Sequence, residues 1–100
     1  TLTLHSNGIV RICNQAGREL LGFSAREIVG QHITRLLPQL KKFELVQDNQ
    51  ANPYLRFLSR IGYHFEVVSK SGVCFASEVF FNDIEYLGRH YLRVIIRPVR

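Results

Sequence analysis

The sequence predicts an α+β domain in which five strands form one antiparallel sheet and short helices pack on one of its faces. Three observations predict this class: apolar and polar residues alternate at both ends of the chain, Asn7-Gly8 is a typical hairpin turn, and the middle carries helix caps and helix breakers. With 100 residues and a hydrophobic fraction of 46%, the chain is large enough to bury one core. Residues 1–100 are therefore expected to form a single domain.

The first two strands are predicted near residues 1–5 and 9–13, on either side of the Asn-Gly turn. Residues 1–5 alternate only weakly, which indicates an edge strand. Asn14 stands where its side-chain oxygen can cap the next helix. Leu20 and Leu21 direct that helix towards the core.

Short helices are predicted between residues 14 and 61. Ser24 and Glu27 have the spacing of a capping box. A further turn at 33–37 ends before a proline, which disfavours helical geometry in the preceding residue. The apolar residues of 53–61 have helical spacing, and the proline that begins this segment is favourable in a first helical turn.

Three strands are predicted after the helices, near residues 63–70, 73–81 and 89–99. The first two form a hairpin around Ser71-Gly72. The segment 39–51 mixes charged and apolar residues and is predicted as a loop or a frayed helix.

The order of motifs between Gly8 and Leu37 carries a family resemblance. A strand closes on Asn14, a helix ends in Leu-Leu-Gly-Phe-Ser at 20–24, and the step Glu-Ile-Val-Gly follows at 27–30. This order resembles the PAS domain, the sensory box of many bacterial signalling proteins, and the looser second half extends the match over nearly the whole chain. The resemblance implies the PAS fold, with 53–61 as the helix that closes a ligand pocket.

Catalysis is not expected of this domain. The sequence contains no G-x-S-x-G nucleophile elbow and no glycine-rich phosphate loop with its lysine, and its four histidines are spread one to a segment. An attached kinase or cyclic-di-nucleotide enzyme would lie outside these residues.

No cofactor is required by the sequence, and a metal site is not expected. Some PAS domains hold haem through a histidine on the helix before the last three strands, but 53–61 contains none, and His64 just beyond it is only a weak haem candidate. The cysteine motif of light-sensing flavin members is absent near 33–37. Haem and flavin are therefore disfavoured, and a small organic ligand is the expected occupant of a pocket.

Ten residues are predicted to line that pocket on the inner face of the sheet and the helices over it. Ser77 is the polar candidate among them, because apolar pockets use a few polar groups to orient a ligand. The alternative that these residues simply fill the core stays open. The ten are Val10, Ile12, Leu36, Leu37, Leu58, Phe75, Ser77, Val79, Leu92 and Val94.

The opposite face of the last strand is basic and partly apolar. At period two it carries Tyr91, Arg93, Ile95 and Arg97, and the resemblance implies a homodimer through this face. A solvated strand with arginine stems over apolar neighbours is the alternative. Nucleic-acid binding is the rival from another class. It is not expected, because acidic residues share the sheet and no RNA-binding motif appears.

The resemblance thus implies a sensory and protein-interaction domain of a two-component system or a related signalling protein, which senses a small ligand and relays it to an effector joined at Arg100. A ligand-free dimerisation module is the second interpretation. No apolar run approaches the roughly 18 to 20 residues that span a bilayer, so no membrane contact is expected. Cys13 and Cys74 suggest neither a disulfide framework nor a metal site and are interpreted as buried thiols of a cytoplasmic protein.

Overall fold

A computed structural model describes residues 1–99 and confirms the predicted α+β fold, a five-stranded antiparallel sheet with short helices. Arg100, the expected junction with an effector, lies outside the described residues. Two 3-10 helices, Ile33–Arg35 and Pro38–Lys42, accompany the main elements. The α-helices and strands are β1 (Leu2–His5), β2 (Val10–Cys13), α1 (Gln15–Leu21), α2 (Ala25–Ile28), β3 (Val46–Gln47), β4 (Gln50–Ala51), α3 (Pro53–Arg60), β5 (Phe65–Val68), β6 (Cys74–Tyr86) and β7 (Arg89–Pro98).

The strands lie in the order β2-β1-β7-β6-β5. The prediction that residues 1–5 form an edge strand is wrong, because β1 pairs with β2 on one side and β7 on the other. The alternation of apolar and polar residues in 1–5 shows that the strand has one buried face. It does not indicate whether the strand has a neighbour on one side or on both. The last strand, β7, occupies the centre of the sheet.

Strand β6 runs further than predicted, to Tyr86, and remains paired with β7 as far as the register Tyr86↔Arg89. The reversal is made by Leu87 and Gly88 alone, both with positive φ. Strand β5 pairs with β6 only up to Ser77. Beyond Ser77, no strand within residues 1–99 therefore pairs with this edge of β6.

The segment predicted as a loop or frayed helix contains the second 3-10 helix and a small hairpin of β3 and β4. Asp48 and Asn49 form its turn with φ of 51° and 62°. Asn and Asp are the non-glycine residues that enter this left-handed region most readily.

The helix caps follow the sequence closely. Asn14 Oδ1 accepts from the Gly17 amide at 2.9 Å, and Ser24 with Glu27 forms the capping box. Asn52, itself buried, caps α3 and also donates to the Glu44 carbonyl at 2.7 Å.

The core lies between the helices and the inner face of the sheet, and its fully buried side chains include Leu2, Leu4, Leu21, Ile28, Ile33, Leu36, Leu37, Leu40, Leu55, Phe65 and Leu92. Leu55 and Leu58 attach α3 to it, whereas Tyr54, Phe57 and Ile61 remain exposed. None of the helices formed within residues 1–99 has the length and apolarity needed to cross a membrane.

Candidate functional site

Strands β6 and β7 form the centre of the inner face. Ser77 and Val79 from β6 and Leu92 and Val94 from β7 are each no more than 1% exposed. The structure brings these four together with further residues predicted for the pocket: Val10, Leu36, Leu37 and Leu58 are buried in the same cluster, and Phe75 packs against it half-buried.

Ile12 is the exception and requires a correction, because it is 49% exposed. The pairing of β1 with β2 shifts from Thr3↔Ile12 to Leu4↔Val10, so that Arg11 is an extra residue in β2. Such a bulge breaks the period of two. Ile12 consequently lies on the outer face, beside Thr3, and cannot line an inner pocket.

Ser77 carries the most informative polar atom of the inner face. The residue is 0% exposed, and among residues 1–99 its hydroxyl has no hydrogen-bond partner. A buried hydroxyl without a partner is destabilising by about 1–3 kcal/mol. Because Phe65 lies directly opposite on β5, this hydroxyl sits in apolar surroundings and is free to bond a polar atom that enters the core.

The surface of the domain carries open grooves. Four of them have volumes between 310 and 560 Å³. Ser77 lines none of these four, and the buried cluster is closed around it in this conformation. A ligand at Ser77 therefore requires the helices or β5 to separate slightly from the inner face.

His64 lies away from this interior. It is exposed and lines an open groove of 310 Å³ with Glu66 and Cys74, so it offers no axial position inside the core. In the described part of the chain, no group of three or more His, Cys, Asp or Glu is placed to hold a metal ion.

The two cysteines differ, which corrects their interpretation as a buried pair. Cys13 is buried, and burial raises the pKa of its thiol. Cys74 is exposed because it begins β6, at the turn next to β5. Neither forms a disulfide.

A polar network that the sequence did not indicate joins Ser6, His90 and Asp83. Ser6 Oγ lies 2.9 Å from His90 Nδ1, and His90 Nε2 lies 2.6 Å from Asp83 Oδ1. The order resembles a hydrolase triad, but Ser6 Oγ also donates to the His90 carbonyl, and Asp83 accepts the Ala51 amide at 2.6 Å. These hydrogen bonds thus connect the first turn, the β6–β7 hairpin and β4 and have a structural role. Ser6 and His90 are 84 residues apart in sequence, so no local motif predicts their contact. The only sequence feature that could have indicated the network is a histidine on the inner face of β7.

The outer face is covered chiefly by arginine side chains. The Arg11 guanidinium lies 4.8 Å from the ring centroid of Tyr91, and His5 packs on the same ring. Tyr91 is therefore only 7% exposed, which corrects its prediction as an accessible residue of a dimer face.

The remaining residues predicted for a dimer face differ in their surroundings. Arg97 lies 4.9 Å from the Phe80 ring centroid and 3.7 Å from Glu78. Arg93 is exposed, and Ile95 is half-buried. An exposed Ile12 lies in the same row of the sheet as Arg93, through the pairs Thr3↔Ile12 and Thr3↔Arg93.

Comparison with known families identifies the domain. The family model described as PAS domain matches residues 1–99. The chain belongs to the PAS domain family. The resemblance in the Gly8–Leu37 motifs is thereby confirmed.

Solved structures show the same fold at low sequence identity. A PAS domain from a two-component sensor histidine kinase aligns with a TM-score of 0.74 at 14% identity, covering 98% of this chain and 82% of that one. A PAS domain from Desulfitobacterium hafniense aligns at 0.71 and 15% identity, covering 98% and 90%. The PAS domain of nitrogen regulation protein NR(II) from Vibrio parahaemolyticus aligns at 0.64 and 20% identity, covering 98% and 86%. None of the curated proteins compared with this chain matches it.

Proposed function

We propose that this PAS domain is the non-catalytic sensory module of a signalling protein and binds a small organic ligand in its core. The observation that carries the proposal is the Ser77 hydroxyl, which is fully buried and has no partner among residues 1–99. A ligand with one polar atom in an otherwise apolar body would satisfy this hydroxyl and bury its own surface against Val79, Leu92 and Val94.

Strand β7 is the element through which we expect the signal to pass. It contributes Leu92 and Val94 to the inner face and Arg93 and Ile95 to the outer face, and it pairs with both β1 and β6. A ligand that binds one arrangement of sheet and helices more tightly shifts the population towards it, by no more than its difference in affinity. An effector such as a histidine kinase or a cyclic-di-nucleotide enzyme, joined beyond β7, would receive this bias.

Replacing Ser77 with alanine tests the hydroxyl directly. In the ligand-free domain we expect the free energy of unfolding to stay constant or to rise by about 1 kcal/mol, because an unsatisfied buried group is removed. Ser59→Ala is the matched control: its hydroxyl donates to the carbonyls of Leu55 at 3.1 Å and Val79 at 2.5 Å. That variant should lose about 1 kcal/mol in urea unfolding. An equal loss in Ser77→Ala would mean that its hydroxyl is already satisfied, and the proposal would fail.

The second candidate function is homodimerisation through the outer face, with or without a ligand. The exposed Ile12, which lies in the same row as Arg93 with Thr3 between them, and the half-buried Ile95 favour it, because they make this face partly apolar. Sedimentation equilibrium of Arg93→Glu should show a weaker dimer than the wild type. The control is Arg26→Glu on α2, which makes the same change of charge away from this face. An unchanged dimer in Arg93→Glu would exclude this face.

We also propose a reducing, cytoplasmic location. The support is the pair of free thiols, one of them exposed, since oxidising compartments favour disulfides.

A further inference from the structure

An open groove of 460 Å³ runs between α3 and the edge of β6 that lies beyond its pairing with β5. We call it the edge groove. Its lining includes Arg56, Ser59 and Arg60 from α3, Phe81 and Asn82 from β6, and Gln50 from β4. It is separate from the interior around Ser77.

The register of the sheet shows which backbone groups face this groove. The Val99 amide donates to the Ala76 carbonyl, so Ala76 directs its backbone groups towards β7. In an antiparallel strand every second residue directs both its N–H and its C=O to the same side, so Phe75 and Ser77 direct theirs towards β5. Ser59 Oγ donates to the Val79 carbonyl at 2.5 Å, which shows that the same alternation continues past the end of β5. By this alternation, the N–H and C=O of Phe81 face the edge groove.

Other contacts flank Phe81 on this edge. The Val79 carbonyl is bonded by Ser59, and further along the Asp83 carboxylate accepts the Ala51 amide at 2.6 Å. Within residues 1–99, no strand pairs with Phe81 on the groove side. At Phe81 the groove therefore presents a donor and an acceptor of a strand edge, which is what one residue of an added strand would bond.

Two arginines on one face of α3 give the groove its charge. Arg56 and Arg60 are four residues apart, and Arg56 is 3.7 Å from Asp83 in a long ion pair. In the part of the chain that the structure describes, Arg60 has no carboxylate within 4.0 Å and lies only near the Phe57 ring, at 6.0 Å. Arginine binds carboxylates through its planar set of donors, so the free cation beside the strand edge selects an acidic partner.

We propose that the edge groove binds a short, extended, acidic peptide segment. One residue of the peptide pairs with the N–H and C=O of Phe81, and a carboxylate next to that residue contacts Arg60. The backbone pairing supplies the extended geometry, and the arginine supplies the preference for acidic sequence. This site does not depend on a ligand at Ser77.

The probe for the test is a terminally blocked peptide of alternating valine and glutamate, titrated into the ¹⁵N-labelled protein. We expect the Phe81 amide resonance to shift and its hydrogen exchange to slow on binding. Arg60→Glu should weaken binding by about tenfold or more, because it removes a charge pair and adds repulsion. Arg26→Glu, an exposed arginine outside the groove, is the matched control and should bind as the wild type does.

Two modified peptides separate backbone pairing from charge. Methylation of the peptide nitrogen that faces Phe81 should abolish binding, and lysine in place of glutamate should do the same. Equal affinity of wild type and Arg60→Glu, retained binding of the methylated peptide, or a titration that leaves Phe81 unperturbed would each overturn the proposal. Circular dichroism of Arg60→Glu verifies that the variant is folded.

Discussion

The two faces of the sheet are made by the same strands but are covered in different ways. On the inner face, Leu92 and Val94 are closed off by helices and by other buried residues of the core. On the outer face, Tyr91 and Phe80 are covered by the guanidinium groups of Arg11 and Arg97. The inner cover consists of whole elements of the fold, whereas the outer cover consists of single flexible side chains.

This difference fits the roles that we propose for the two faces. Burial against several elements stabilises the fold, and opening that interior for a ligand must disturb their packing. Arginine stems over apolar rings can move aside without unfolding anything, which suits a surface that exchanges solvent for a partner. This contrast agrees with our proposal that the inner face binds the ligand and the outer face meets a partner.

The largest expected effect is a difference in the free energy of unfolding between substitutions on the two faces of β7. Leu92→Ala should lower the free energy of unfolding by about 2–5 kcal/mol, because Leu92 is 1% exposed and its removal leaves a cavity. Ile95→Ala on the half-buried outer face should lower it by much less. Urea unfolding of both variants measures the difference. Equal losses would mean that the faces do not differ in their contribution to stability.

A smaller difference in the free energy of unfolding is expected between variants of two arginines on the outer face. Arg97→Ala removes the contact with Phe80 and the ion pair with Glu78, so we expect a loss of about 0.5–1 kcal/mol. Arg93→Ala is the matched control, since Arg93 is exposed and takes part in none of the ion pairs formed within residues 1–99. Chemical denaturation of the two variants side by side is the measurement. If Arg93→Ala loses as much, the arginine cover is not specific to the aromatic rings.

The smallest effect concerns the layer of helices above the inner face. The Lys70 ammonium bonds the Glu27 carboxylate and lowers the pKa of that carboxyl from its ordinary 4.5 to about 2, and the Ser24 amide adds to the shift. A lowered folded-state pKa means that the carboxylate stabilises the fold above about pH 4.5 and that this contribution is lost as the pH falls towards 2. Both side chains are well exposed, so the contribution is small.

Glu27→Gln should remove that part of the pH dependence while leaving the acid sensitivity of the other carboxyls. Urea midpoints of wild type and variant between pH 6 and pH 2 would converge as the pH falls. Parallel curves over the whole range would show that the ion pair does not form in solution.

Local signals in the sequence predicted much of the fold. The Asn7-Gly8 turn, the Asn14 cap and the Ser24–Glu27 capping box each depend on residues within a few positions, and the structure contains all three. The inner face of β7 followed from the period of two that places Leu92, Val94 and Ile96 on one side of the strand. The burial of Ser77 on the inner face also followed from its position between Phe75 and Val79.

Features set by distant parts of the chain could not be predicted in this way. The bulge that turns Ile12 outward arises from the register with β1, and the burial of Tyr91 depends on Arg11 from another strand. The edge groove exists because β5 begins at Phe65, opposite Ser77, so that the rest of β6 extends without a paired strand on this side. The periodicity of one strand does not predict how far a neighbouring strand extends along it.

Native mass spectrometry tests the central claim most directly, with the domain mixed with a small-molecule extract of cells and an absorbance spectrum recorded on the same sample. We predict a colourless complex of the chain with one small molecule, and a lower bound fraction for Ser77→Ala than for the wild type. A wild-type chain that stays at its bare mass, or equal bound fractions in the two proteins, would contradict a ligand held by Ser77 in the core.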